Sequence, residues 1–170
     1  LSRIIFKKKN IKVPKYFLLQ KGYEKNLSKK MKNKKIKFPI VIKPINEGSS
    51  IGVYICKNKI EFSKNYSRLK KIYNKILIEQ YIPGKEIQVA VMGNKALGAI
   101  ELIPKRKFYD YKAKYSSEAK TKHIMPAFIP KKKYKEALYL AKKAHNVLGC
   151  KGITRSDFRF FNNKFYLLET

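Results

Sequence analysis

Phe38-Pro-Ile-Val-Ile-Lys-Pro-Ile-Asn-Glu-Gly-Ser-Ser-Ile-Gly-Val53 is the stretch from which the rest of the chain is read. Its apolar run, Ile40-Val41-Ile42, is β-branched throughout and bounded by prolines, as a buried strand is. Lys43 closes that strand. Asn46 to Gly52 follows, a run of small residues whose two glycines let successive N–H groups turn toward an anion. A second strand runs from Val53 to Cys56. Strand, lysine, glycine-serine loop and strand make a phosphate cradle, in which the lysine is a point charge and the loop offers donors without bulk. The order is not that of the Walker loop, because the lysine precedes the glycines and no Gly-Lys-Ser/Thr occurs. A plain hairpin with a flexible turn accounts for Gly48 to Gly52 equally well.

The chain has 170 residues and a formal charge of +30. Such an excess suggests nucleic acid or an anionic membrane. Its make-up favours a solvated surface instead. Only five of the 41 basic residues are arginine (Arg3, Arg68, Arg106, Arg155, Arg159), the side chain whose fork suits phosphates and base edges. The lysines are dispersed among isoleucine and asparagine. We therefore expect no nucleic-acid or membrane partner, and keep a basic nucleic-acid-binding module as the reading from another class. The same charge favours anionic ligands such as nucleotides. Cys56 and Cys150 belong to no Cys-x-x-Cys and have no neighbouring histidine, so both read as small buried hydrophobes of a reducing compartment. No apolar run reaches the length of a membrane span and no signal peptide is visible. Leu1 is not a methionine and Thr170 stands directly behind a strand, so the sequence reads as an internal piece of a longer protein.

Outside the opening motif, the pattern alternates strands with short helices. Leu1 to Lys9 reads as the end of a helix, Tyr16 to Leu19 as a strand, and lysine-dense Lys21 to Lys37 as a solvated helix or loop. Lys59 to Ile72 spaces Ile60, Tyr66, Leu69 and Ile72 as an amphipathic helix. Lys75 to Ile82 is a strand carrying Glu79 and Gln80, and Pro83-Gly84 turns it into Lys85 to Val91. There Ile87, Val89 and Val91 share one face, with Glu86, Gln88 and Ala90 on the other. Gly93-Asn94 leads into a further strand, Ala96 to Ile103. Glu79 and Glu86 flank one tight turn, either as hydrogen-bonding partners of a base amine and a ribose or as solvated carboxylates. Pro104 to Pro130 lacks a helical period and interleaves rings with ammonium groups in Phe108-Tyr-Asp-Tyr-Lys-Ala-Lys-Tyr115. It reads as a lid over phosphates or as an edge strand. Lys131 to Leu148 is the clearest helix, with Tyr134, Leu138, Ala141 and Leu148 on one stripe and Gly149 as its stop. His145, beside that stripe, reads as structural. His123 is left unassigned.

Gly152 to Phe161 alternates as a strand, Asn162-Asn163 turns, and Lys164 to Glu169 returns antiparallel. A three-residue loop would set Asp157 directly opposite Glu169. A two-residue loop would set Asp157 opposite Leu168 and send the two acids to opposite sides. Adjacent carboxylates need a cation, and hard oxygen ligands of this kind suit Mg²⁺ held against nucleotide phosphates, with Arg155 on the same face as Asp157.

Lys43, the Glu47-Gly-Ser-Ser-Ile-Gly52 loop, Glu79-Gln-Tyr-Ile-Pro-Gly-Lys-Glu86, Phe108 to Tyr115, Arg155-Ser-Asp157 and Leu167-Leu-Glu169, in that order, resemble the ATP-grasp enzymes, most closely the D-alanine:D-alanine ligase family. The resemblance covers nearly the whole chain. It implies an α+β ATP-grasp fold, two subdomains with the nucleotide between antiparallel sheets. Residues 1–82 would form the central subdomain with its phosphate loop at 46–52. Residues 83–170 would start the C-terminal subdomain with a lid at 104–130, and the N-terminal domain and C-terminus would lie outside. ATP would meet Lys43 and the loop residues Gly48, Ser49 and Ser50 through its phosphates, Glu79 and the backbone of Gln80, Tyr81 and Ile82 through its base, and Glu86 through its ribose. Lys114 would face phosphate from the lid, and Tyr115 would hydrogen-bond toward Ser49. Asp157 and Glu169 would bind Mg²⁺, with Mn²⁺ as a substitute, and Arg155 would stabilise charge at the reacting carbonyl.

The implied reaction passes the γ-phosphoryl group to the carboxylate of one D-alanine and joins the amine of a second to that acyl phosphate, for peptidoglycan precursors in the cytoplasm. A homodimer is expected of the full-length protein. Another ATP-grasp carboxylate-amine ligase, or one using D-lactate, is the nearest alternative. The family's asparagine after its second metal acid would fall just past Thr170, and an earlier ATP-contacting lysine just before Leu1. Lys112 stands where an acid is usual.

Overall fold

The computed structural model describes residues 2–48, 50–104 and 121–170, which group into two compact units. One is Pro14–Tyr81; the other joins residues 2–13 to 82–104 and 121–170. Among the described residues, no helix is long and apolar enough to cross a membrane.

In the first unit, strands β1 (Tyr16–Gln20), β2 (Ile40–Pro44), β3 (Tyr54–Cys56) and β4 (Lys75–Gln80) form an antiparallel sheet in the order β1-β4-β2-β3. Strand alternation sends Phe17, Leu19, Ile40, Ile42, Ile76 and Ile78 to one face, and all six are buried. Two helices cover that face. α2 (Leu27–Lys34) contributes Leu27 and Met31 and turns its lysines outward, so the lysine-dense segment is an amphipathic helix. α3 (Lys59–Leu69) starts at Asn58, whose side chain accepts from the Glu61 N–H at 2.9 Å, while Glu61 accepts from the Lys57 N–H at 2.8 Å. Its buried stripe is Phe62, Tyr66 and Leu69; Tyr66 and Leu69 are the expected ones, whereas Ile60 and Ile72, expected beside them, are 81% and 76% exposed. The cap at Asn58 puts Ile60 in the first turn on the outer side, and Ile72 lies past the helix end. Cys56 is buried in this core, and burial pushes its thiol pKa up, as expected of a small hydrophobe.

In the second unit, β5 (Lys85–Met92), β6 (Lys95–Ile103), β7 (Lys122–Ile124), β8 (Ile153–Phe161) and β9 (Lys164–Glu169) make an antiparallel sheet in the order β7-β6-β5-β8-β9. β7 lies within the stretch read as a lid or as an edge strand, C-terminal to the aromatic run on which that strand was placed. The lid residues Phe108 to Tyr115, with Lys114 and Tyr115, and Lys112, fall outside the described residues. Ile87, Val89, Val91, Ala99 and Phe158 form one buried face, under α4 (Lys131–Val147). That helix meets the sheet through Ala137, Ala141 and Ala144, flanked by half-buried Tyr134, Leu138 and Leu148. His145 is buried at its end, with Nδ1 2.8 Å from Thr154 Oγ1, as a structural histidine would be. α1 (Ser2–Lys8) and the residues after it border β9: Arg3 donates to the Leu168 carbonyl at 3.1 Å, and the Leu167 N–H donates to Lys12 at 2.8 Å. The opposite face of this sheet is polar, carrying Glu86 and Gln88 of β5 beside Arg155, Asp157 and Arg159 of β8.

Burial raises the Tyr66 pKa from 10 to about 12, with the Glu24 carboxylate adding to the effect. A folded pKa above the unfolded one stabilises fully below pH about 10 and loses that contribution as pH climbs toward about 12. The unfolding free energy of the wild type, measured in urea, should therefore fall relative to that of Tyr66→Phe across this window. A constant difference between the two would show that the phenol does not drive it.

Candidate functional site

Each unit carries its own cluster of charged groups on the sheet face away from the helices. In the first, β2 and β4 are neighbours in register Val41↔Glu79 and Lys43↔Leu77, which brings Lys43 diagonally toward Glu79. The Lys43 ammonium stands 3.0 Å from Glu79 Oε2, and the Glu79 side chain is 3% exposed. A carboxylate so buried requires a cation partner, because desolvation costs several kcal/mol. The two groups expected to meet phosphate and base amine are thus held against each other.

The loop behind Lys43 is fastened at both ends. At its start the Tyr73 hydroxyl donates to Glu47 Oε1 at 2.9 Å, a bond that also raises the Tyr73 pKa. At its end Gly52 has φ +68°, and a Cβ there would lie 2.9 Å from the Pro44 ring, so only glycine lets the loop close on the strand. Between them the Ile51 N–H donates to the Gly48 carbonyl at 3.0 Å, and Ser50 is left-handed at φ +63°. Ser49 lies outside the described residues. At the far end of β4 the Gln80 carboxamide accepts from the Lys37 N–H at 3.0 Å and donates to the Lys37 carbonyl at 3.1 Å. The Gln80 and Tyr81 N–H groups donate to Lys15 and Pro39, which fixes the course of the chain there.

In the second unit the site is a row of side chains across β5, β8 and β9. Facing pairs Gln88↔Asp157, Ala90↔Arg155 and Glu86↔Arg159 put the polar residues of both strands on one face. Asp157, 3% exposed, receives a two-pronged contact from Arg155, Nε to Oδ1 at 2.8 Å and Nη2 to Oδ2 at 3.0 Å. Gln88 Nε2 adds a bond to Oδ2 at 3.2 Å. Glu86 Oε2 is 3.2 Å from Arg159 Nη1, and Arg159 Nε donates to the Ile82 carbonyl at 3.0 Å. Gly84, at φ +93°, lies so close to Phe160 that a Cβ would overlap the Phe160 carbonyl, which brings Glu86 within reach of β8.

The hairpin reaches the expected pairing by an unexpected route. Phe161 faces Lys164 across a two-residue turn, with Asn162 and Asn163 both left-handed at φ +47° and +57°. By turn length alone Asp157 would face Leu168. A β-bulge between Asp157 and Phe158 absorbs Leu168, and Asp157 faces Glu169. Phe165 and Leu167 therefore point into the core while Glu169 shares the polar side. Among the described residues, no group of three or more His, Cys, Asp or Glu is placed to hold a metal. A carboxylate pair still fits Mg²⁺, which takes one or two protein carboxylates and completes its octahedron with water and phosphate oxygens.

Arg159 and Gln88 were missed in the sequence. Both were legible from the alternation that places them beside Asp157 and Glu86, but they lacked the charge sign sought for a metal or ribose ligand.

Because Glu79 is so deeply placed, Lys43→Met should cost about 3–5 kcal/mol, the penalty of removing one partner of a buried ion pair. Lys43→Met combined with Glu79→Met should recover most of it in urea unfolding. Equal losses in the single and double variants would show that the pair is not coupled.

The family described as D-ala D-ala ligase C-terminus matches residues 5–170. The chain is 56% identical over 169 residues to the D-alanine–D-alanine ligase of Pelagibacter ubique, covering 99% of this chain and 55% of that protein. Its fold superposes with TM-score 0.83 on the D-alanine–D-alanine ligase of Bacillus anthracis, at 27% identity, covering 99% of this chain and 54% of the other. The same Bacillus enzyme complexed with ATP superposes at 0.78, with 25% identity, over 99% of this chain and 53% of the other. The VanG D-Ala:D-Ser ligase of Enterococcus faecalis gives 0.84 at 25% identity, over 99% of this chain and 50% of the other. The chain spans about half the length of the curated relatives it matches. Mixed α+β architecture, two antiparallel sheets and a sequence match from end to end agree: the chain belongs to the D-alanine–D-alanine ligase C-terminal family of the ATP-grasp fold.

Proposed function

We propose that the protein to which this chain belongs is an ATP-dependent ligase that joins two D-alanines through an acyl phosphate, in the cytoplasm, for peptidoglycan precursors. Family membership supports the reaction, and the observation that carries the residue assignment is the bulge that sets Glu169 opposite Asp157. Lys43 and the 46–52 loop bind phosphate, Glu79 and the backbone of Gln80, Tyr81 and Ile82 receive the base, and Glu86 holds the ribose. Lys114 would add a positive charge, and Tyr115 would hydrogen-bond to Ser49. Asp157 and Glu169 would hold Mg²⁺, which when bound neutralises charge on the transferring phosphoryl group.

Arg155 begins on Asp157. Its side chain is 54% exposed and long enough to turn from the carboxylate toward the oxyanion that forms when the second amine attacks. No protein nucleophile is required, because the substrate carboxylate and amine supply both bonds. The work of the chain is to place groups and balance charge.

The full-length protein should release phosphate only when ATP and D-alanine are both supplied, and Asp157→Asn should lower kcat at least about a thousandfold while remaining folded by circular dichroism. Lys43→Ala should do the same at a temperature where it stays folded. Persistent turnover in either variant would defeat the assignment. Supplying D-serine and D-lactate beside D-alanine as acceptors reads the second substrate, and the particle mass in solution reads the homodimer.

A further inference from the structure

Arg159 of β8 touches two different parts of the expected nucleotide site. Nε bonds the Ile82 carbonyl at 3.0 Å and Nη1 the Glu86 carboxylate at 3.2 Å. Both contacts are inside one unit and come from one rigid planar group, whose donors cannot shift independently. The pair is shielded, with side chains 16% and 10% exposed, so the charge is felt at close to full strength.

We propose that Arg159 is a positioning residue for nucleotide recognition: by gripping Ile82 and Glu86 together it sets the Glu86 carboxylate against the ribose hydroxyls and ties that acid to the backbone lining the base. The inference rests on the assignment of Glu86 to the ribose. Arg159 does not touch the nucleotide. It pins Oε2 and thereby fixes the direction in which the carboxylate accepts hydroxyl hydrogens. The Ile82 bond orients that grip, since a lysine could satisfy Glu86 or Ile82 but lacks the fork to hold both in the same geometry. Nothing in this role involves the phosphoryl group, so its loss should fall on nucleotide binding and ribose selectivity and leave the chemical step alone.

The test uses the full-length enzyme with ATP and 2′-deoxy-ATP. The wild type should prefer ATP, because the deoxy analogue leaves Glu86 without one of its hydroxyl partners. In Arg159→Lys the KM for ATP should rise about tenfold, kcat should stay within about twofold, and the preference for ATP over the deoxy analogue should shrink toward one. Glu86→Gln should lose the same preference, and adding Arg159→Lys to it should change selectivity little further, because both act through one carboxylate. A cooperative urea transition near that of the wild type ensures that Arg159→Lys is read in folded protein; Arg159→Gln serves as a second variant. Unchanged KM and selectivity in both variants, or losses that add with those of Glu86→Gln, would reduce Arg159 to a fold-stabilising ion pair and overturn the proposal. A wild type with no preference between the two nucleotides but normal ATP-dependent turnover would overturn the ribose assignment of Glu86, and a wild type with no ATP-dependent turnover would overturn the ligase reading itself.

Discussion

Which side of its sheet Glu169 faces is decided by one surplus residue. Strand side chains alternate, so any change of register by one exchanges the core face for the outer one. The paired asparagines close β8 onto β9 by the tightest turn available, and that register sends Phe165 and Leu167 into the core with Phe158, with rings 5.8 Å apart in edge contact for Phe158 and Phe165. Carried unchanged to the strand end, it would bury Glu169. Absorbing Leu168 in the bulge satisfies both demands, keeping the aromatic core in step and turning the second acid outward beside the first.

The same economy of charge recurs at each buried acid. Glu79 has Lys43, Glu86 has Arg159, Glu101 has Lys85 at 3.0 Å, and Asp157 has Arg155. In three of these pairs the acid is the group whose proposed partner is a base, a ribose or a metal. A site built from ionised carboxylates would, without ligand, leave several desolvated charges, each costing several kcal/mol. Internal cations compensate these acids and hold them in place, and in the proposed site a ligand would exchange partners with them instead of meeting bare charge. Lys85 shows the structural version of the device: besides Glu101 it donates to the Phe128 carbonyl at 2.6 Å, and so fastens the chain after β7 to the sheet.

Most of the fold was legible because strand alternation and helix period are local properties. Ile40 to Ile42, Ile87 to Val91 and the long helix stand out from their own spacing, although the inner face of that helix is centred on Ala137, Ala141 and Ala144, with the expected Tyr134, Leu138 and Leu148 beside it. What escaped was non-local. Nothing about Leu168 marks it as the residue to be absorbed; the need arises from Phe165 and Leu167 on one side and Glu169 on the other. Spacing alone sets Ile60 on the core face of its helix, whereas the cap at Asn58, which fixes the phase, turns it outward. Arg159 and Gln88 were on the right face by simple counting, yet their importance depends on which carboxylate lies across the strand, and that is a matter of pairing.

Lysine abundance is therefore a poor guide to the chemistry of this chain, and acid position a good one. Eleven residues of 170 are Asp or Glu. Placing any of them in the interior is unfavourable unless a cation is supplied at the same depth, and in so basic a chain the exterior offers abundant solvated sites for those that need none. Yet Glu79, Glu86, Glu101 and Asp157 are buried, each with a basic partner on its own sheet. Random placement among so many lysines would give surface pairs worth little. Burial with a dedicated partner requires that both positions be fixed by the strand register, which makes these few acids, and the cations aimed at them, the residues whose arrangement the fold is built to hold.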